Sequence, residues 1–208
     1  MTPPTTHIAV FTYEIAVVNG TDYDKLQVAL SALCAWAEDW QLSISISKCC
    51  VLHIGKGNVS HQFFINGSPL PVINSSRDLG ITITSTLLFA DHITNIVAKA
   101  HQRANTIHRC FRNTTLLVRT FVTYVRPLLE CNSVIWSPHH KGDTLSIEQV
   151  QRRFTKRLLG LRDLSYEKRL SVLNLQSLEL RRLHFDLIWC YKILFGLVCV
   201  NFDEFFQT

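Results

Sequence analysis

Apolar positions keep two different periods along this chain, and the change comes near Ser85. Leu26, Ala29, Leu30, Leu33, Trp36, Ala37 and Trp40 recur at helical spacing, and Thr21 or Asp22 can cap the helix they predict. The period then shortens. Leu42, Ile44 and Ile46 alternate with Gln41, Ser43, Ser45 and Ser47, which predicts a half-buried strand. Burial of Trp36, Trp40, Leu42, Ile44 and Ile46 would hold helix to sheet. Cys50–Ile54 predicts another strand, ended by Gly55 and Gly57. Gln62–Ile65 and Leu70–Ile73 flank Asn66-Gly67, a turn signal, and Pro71 demotes the second arm to an edge. Asp78–Thr84 adds a short strand, and His7–Val18 is apolar enough for one more. Met1–Thr6 is polar, Pro-rich and expected to fray.

From Ser85 onward the pattern is helical. Ile93, Ile96, Val97, Ala100, Ala104, Ile107 and Phe111 make one stripe. Thr115–Arg126 predicts a second helix that Pro127 ends or kinks, and Leu128–Trp136 a third. Leu145–Leu159 follows, with Ile147, Val150, Phe154 and Leu158 inward. Ser165 and Ser177 are placed to cap the last two helices, and Gly196 to stop the final one. The expectation is an α+β fold: residues 1–84 as one helix on a small, mostly antiparallel sheet, and residues 85–208 as a helical bundle.

The net charge of +5 hides an asymmetry. Residues 1–94 carry 4 Lys/Arg against 7 Asp/Glu, and residues 95–208 carry 17 against 9. A basic second half points to a polyanionic partner, although helical bundles also carry basic faces for solubility alone. Seven cysteines, an odd number with no C-x-x-C pair, argue against a disulfide framework or zinc site and for buried free thiols. His139–His140 reads as a solvated turn. No apolar run reaches the roughly 18 residues of a membrane span, and no signal peptide is legible. A cytoplasmic or nuclear location, not secretion, is expected.

Self-contained catalysis has no visible motif. Glu38–Asp39 reads as a solvated helix face. In Phe89-Ala90-Asp91-His92 a lone carboxylate opens a helix, so Asp91 reads as an N-cap rather than as a metal ligand. The cations are better organised. Arg152, Arg153, Lys156 and Arg157 fall opposite the apolar stripe of their helix. Lys99, Arg103, Arg109 and Arg112 avoid the stripe of theirs, and Arg119, Arg126, Arg162, Lys168 and Arg169 belong to the same half. Such a set can neutralise phosphates by fork-like contacts, or simply be solvated.

Several segments carry a resemblance: Asp22-Tyr23-Asp24-Lys25-Leu26-Gln27, Trp40-Gln41-Leu42 with Ser47-Lys48-Cys49, Ile65-Asn66-Gly67 and Arg77-Asp78-Leu79-Gly80. Tyr124-Val125-Arg126-Pro127-Leu128-Leu129-Glu130, Trp136-Ser137-Pro138, Glu148 through Arg153, Gly160-Leu161-Arg162 and Leu178 through Arg182 continue it. In this order they resemble the end of the reverse transcriptase of non-LTR retrotransposons of the Jockey and CR1-like group. The resemblance implies the last part of a polymerase palm to about Thr84, then the helical thumb. It implies that Lys48 matches a lysine near the departing pyrophosphate, a remnant proton donor. Ser45 stands where the family often has Asn. Arg77–Gly80 resembles the palm–thumb hinge hairpin.

The departures decide what the chain can do. Where the family carries a double aspartate, this chain reads Phe11-Thr12-Tyr13-Glu14. The other metal aspartate, the fingers and the endonuclease are expected to be missing upstream, and a basic tail downstream. The parent reaction is RNA-templated DNA synthesis with Mg²⁺. In this chain no catalytic residue, metal or cofactor is expected beyond the Lys48 remnant. Low-specificity binding of RNA or RNA–DNA hybrid is expected through Lys99, Arg103, Arg126, Arg152, Arg153, Lys156, Arg157 and Arg162. The alternatives are a decayed or recruited helical protein-interaction module, which could also self-associate through palm surface left bare, or a half that docks on a separate chain carrying the aspartates.

Overall fold

The computed structural model describes residues 23–55 and 61–200. The strand expected over His7–Val18, the caps Thr21 and Asp22, the frayed start and Phe11–Glu14 lie outside them. The fold is α+β, in two compact units that divide between Leu88 and Phe89.

In unit 1, helix α1 (Tyr23–Asp39) packs its Leu26, Leu30 and Cys34 side on Phe63, Ile65 and Leu70. Gln27 locks the contact: its Nε2 donates to the Phe64 carbonyl at 2.9 Å and its Oε1 accepts the Phe64 N–H at 3.0 Å. A side-chain amide thus stands in for a neighbouring strand. The helix ends on Gln41 at φ 54°, with Leu42 N–H on Ala37 and Gln41 N–H on Glu38, the double bond of a Schellman cap.

The two tryptophans depart from expectation: Trp36 is 42% exposed and Trp40 67%. The inward side ends in Cys34 and Ala37, small residues that let α1 approach closely, and the short strands offer nothing broad enough to cover two indoles on the flank. Nor do Leu42–Ile46 form a strand. They find no ladder partner, and the chain coils into a 3₁₀ turn at Ile46–Lys48, though Ile44 and Ile46 still pack on the core.

The expected single sheet is three two-stranded ladders among the described residues. β1 (Val51–Leu52) pairs in parallel with β4 (Val72–Ile73), and the Pro71 carbonyl accepts from Val51 N–H at 2.9 Å. β2 (Phe64–Ile65) and β3 (Ser68–Pro69) form the hairpin around Asn66 and Gly67, both at positive φ as a tight I′ turn demands. β5 (Ser75–Asp78) and β6 (Ile81–Thr84) turn at Leu79-Gly80.

Unit 2 is helical. α2 (Ala90–Cys110) buries Ile93, Ala100, Ala104 and Ile107. Its cap position is Phe89 without a side-chain bond, so Asp91 is not the cap. It sits exposed in the first turn, where a carboxylate favours the helix dipole. α3 (Thr114–Thr120), capped by Asn113, runs into a π-helical segment at Phe121–Val125 and then α4 (Arg126–Glu130). Pro127 is the cause: it has no N–H to donate and its ring crowds the preceding turn. The Arg126 N–H reaches back five residues to Phe121 instead. Leu117, Phe121, Val125 and Leu129 stay buried through the change of pitch. α5 (Ser133–Trp136) buries Trp136 with its Nε1 on the Cys131 carbonyl and the buried His92 edge-on against the indole at 5.3 Å. α6 (Lys141–Lys156), α7 (Tyr166–Leu173) and α8 (Leu178–Leu194) complete the unit, with Ser165 and Ser177 capping as the sequence predicts. All seven cysteines are free thiols, but only Cys34 is buried, against the expectation for the set.

Candidate nucleic-acid interface

The geometry of the cations is set by α6, which has two buried sides rather than one. Ile147, Val150 and Phe154 face α2, and a second, polar side buries Glu148, Gln151 and Thr155. Only a narrow arc is left to solvent, holding Arg153, Lys156 and Arg157. Among the described residues no carboxylate lies within ion-pair distance of these three.

Arg152 is not part of that arc, contrary to the sequence expectation. It lies half-buried at the polar side with its guanidinium 4.3 Å above the Tyr166 ring. That stacking commits its charge to the fold. Arg169 departs further. It is buried, and donates to the Thr155 hydroxyl at 3.2 Å and the carbonyls of Leu164 and Arg152. Arg126 is also engaged, 3.7 Å from Glu130, which α8 holds through a bidentate contact from Arg181.

The remaining candidates fall in separate places. Arg103 is exposed, yet its Nη1 donates to the Tyr124 carbonyl at 2.9 Å, so it braces the π segment. Lys99, one turn earlier on the same flank, and Arg162, in the loop after α6, are exposed. Lys48 is exposed at the end of its 3₁₀ turn in unit 1.

Three polar residues of α2 that the sequence reading passed over line the seam beside α6. Asn105 Oδ1 accepts from Arg157 Nη1 at 2.6 Å. Burial, and then the charge of Arg153, holds the His101 imidazole below its ordinary pKa. Burial and Arg157 do the same for His108, partly offset by its hydrogen bond to the Phe154 backbone. Their spacing of four and three carried the signal: His101, Asn105 and His108 lie one above another along the edge of the apolar stripe. The seam therefore gathers Arg153, Arg157, Asn105 and His101, with Lys156 on the outer arc. It is a donor-rich strip able to take anionic oxygens.

What fixes the strip is a buried polar network on the other side of α6. The Glu148 carboxylate accepts from Leu178 N–H at 3.2 Å and Glu179 N–H at 3.1 Å, closing the start of α8, and also accepts a hydrogen bond from the Tyr166 hydroxyl. Gln151 Nε2 donates to the Tyr166 oxygen at 3.0 Å and to the Gln176 carbonyl at 2.9 Å. Burial, and then the Glu148 bond and charge, push the Tyr166 phenol well above its ordinary range. One helix is thus anchored to α7 and α8 by side chains that sequence periodicity marks only as polar.

Among the described residues no group of three or more His, Cys, Asp or Glu is arranged to hold a metal ion, and no helix is long and apolar enough to cross a membrane. The chain is 27% identical over 128 residues to an uncharacterized protein of Caenorhabditis elegans, a match covering 59% of this chain. It covers 65% of that relative, a little less than two thirds of its length. No family model and no solved structure matches the chain.

Proposed function

We propose that this chain is a nucleic-acid-gripping fragment of a non-LTR retrotransposon reverse transcriptase, binding RNA or RNA–DNA hybrid with low sequence specificity and without polymerase activity of its own. The observation that carries the reading is the exposed, carboxylate-free strip of Arg153, Lys156 and Arg157 beside His101 and Asn105. Forked cations on a rigid helix suit phosphate oxygens, which fix position but carry no sequence information. The candidate set contracts accordingly. Lys99 and Arg162 remain as outlying contacts, and Arg103, Arg126 and Arg152 serve the fold. The motif position at Phe11–Glu14 lacks a double aspartate, so no Mg²⁺-dependent nucleotidyl transfer is proposed. Lys48 is a remnant of that chemistry. Such a fragment would meet its template in the cytoplasm or nucleus.

The test is fluorescence anisotropy of labelled RNA, hybrid and DNA duplexes across a salt series. The R153Q/K156Q/R157Q variant should weaken all sequences by a similar factor and flatten the slope of log K against log salt by about 2 to 2.7, at 0.7–0.9 per phosphate contact. Equal binding by the variant, with an unchanged slope, would remove the strip from consideration. Template-dependent primer extension by the purified chain would overturn the inactive assignment. A second reading, a recruited protein-interaction module, is favoured by the bare apolar flank of α1, where Val28, Trp36 and Trp40 are exposed. Salt-independent behaviour with no nucleic-acid affinity would put that reading first.

A further inference from the structure

The last helix carries more apolar residues than its own fold covers. α8 docks by Leu178 and Arg182, both buried, against α4, α5 and α6. On the opposite side Leu180, Leu183, Leu187, Tyr191 and Leu194 form one continuous stripe, each between 41% and 56% exposed. Spacings of three and four keep these five on one face over the length of the helix. No Asp, Glu, Lys or Arg interrupts it. A helix apolar on both faces is ordinarily buried on both.

We infer that this face pairs with the same face of a second copy of the chain, the two α8 helices crossing antiparallel at Leu187. The spacing singles out this occupant. Counted from Leu187, the stripe stands at minus seven, minus four, plus four and plus seven, so it reads the same in both directions. A two-fold interface needs that property, because each residue must meet its mate's mirror position. An antiparallel crossing sets Leu180 against Leu194 of the second copy, Leu183 against Tyr191, and Leu187 against itself. A helix from an unrelated partner would require no such symmetry.

The area also suffices. The five side chains of the stripe present roughly 500 Å² of apolar surface per copy, about 1,000 Å² for the pair, which is the least a specific interface needs. The stripe carries no cation, so this pairing uses none of the Arg153–Arg157 strip and does not rest on nucleic-acid binding.

Sedimentation equilibrium of the full chain in the micromolar range should give twice the 23.8 kDa monomer mass. Leu187→Glu puts two like charges face to face at the crossing and should weaken association on the order of 100-fold. Because that site is open in the monomer, the urea midpoint of L187E should match that of the parent at a concentration low enough for the parent to be monomeric. L183K and Y191E should each weaken the dimer, and the double variant L183K/Y191E, which sets Lys against Glu twice, should restore it. A parent that stays monomeric across the range overturns the inference. So does an association untouched by L187E, or a double variant no better than its singles.

Discussion

Replacing Glu148 by Ala tests whether the buried network holds the helical unit together. The carboxylate is only 5% exposed and satisfies three donors: the first two N–H groups of α8 and the Tyr166 hydroxyl. Truncation leaves all three without their acceptor, two of them in the interior. Each bond to a charged acceptor contributes about 1.5–3 kcal/mol, but the losses overlap, because one cavity opens and Tyr166 keeps its bond from Gln151. Removing one partner from a buried charged set typically costs about 3–5 kcal/mol, and that is the expected loss. Against a usual domain stability of about 5–15 kcal/mol, this would bring unit 2 near its threshold. E148Q keeps one acceptor oxygen but turns an amide donor toward N–H groups, so it should fall between the variant and the parent. Urea unfolding, followed by far-UV circular dichroism and by fluorescence of the buried Trp136, reads both. The midpoint should drop with m unchanged. A loss below about 1 kcal/mol for E148A would mean that the network is ornamental and that apolar packing alone orients α6.

Arg152 and Arg153 are neighbours with opposite expected phenotypes. R152Q should cost about 0.5–2 kcal/mol by losing its place over Tyr166 and leave the salt slope nearly unchanged, whereas R153Q should leave stability within about 0.5 kcal/mol and flatten the slope by about 0.7–0.9. His101 and His108 are both held below 6.5 in the fold, so the neutral rings contribute stability above pH 6.5 that is lost as pH falls through their lower folded values. Bound phosphate favours the protonated rings, so affinity for hybrid should rise over the same window. H101Q/H108Q should flatten both trends, and parallel trends in melting and anisotropy would count against the assignment. Trp40→Ala should cost under about 1 kcal/mol, because the indole is mostly in solvent. A loss of 3 kcal/mol or more would restore the packed tryptophan that periodicity predicted.

What the sequence disclosed was local. The Asn66-Gly67 turn, the serine caps of α7 and α8, and the stripe of α2 depend on neighbours within a few positions, and all are found. What it withheld depended on remote partners. Leu42–Ile46 alternate like a strand, but a strand needs a ladder, and none is offered there. On α6 the apolar stripe marked one inward side. The second is made of Glu148, Gln151 and Thr155, and only the placement of Tyr166, Gln176 and Leu178 reveals that these are inside. Arg152 was misassigned for the same reason, since the helical wheel has no way to show an aromatic ring arriving from α7.

The π segment at Phe121–Val125 has a consequence for how this chain tolerates change in length. A straight α-helix advances about 100° per residue, so losing a single residue between Thr114 and Glu130 would swing everything after it by about that angle. Leu129 would leave the interior, and Glu130 would no longer face Arg181. Nor could the helix readily absorb the loss by tightening to regular pitch, because the Pro127 ring would then crowd the carbonyl four residues before it. Point substitutions here are graded in effect. A one-residue deletion is a phase error, and only a compensating insertion before Glu130 would return the helix to register.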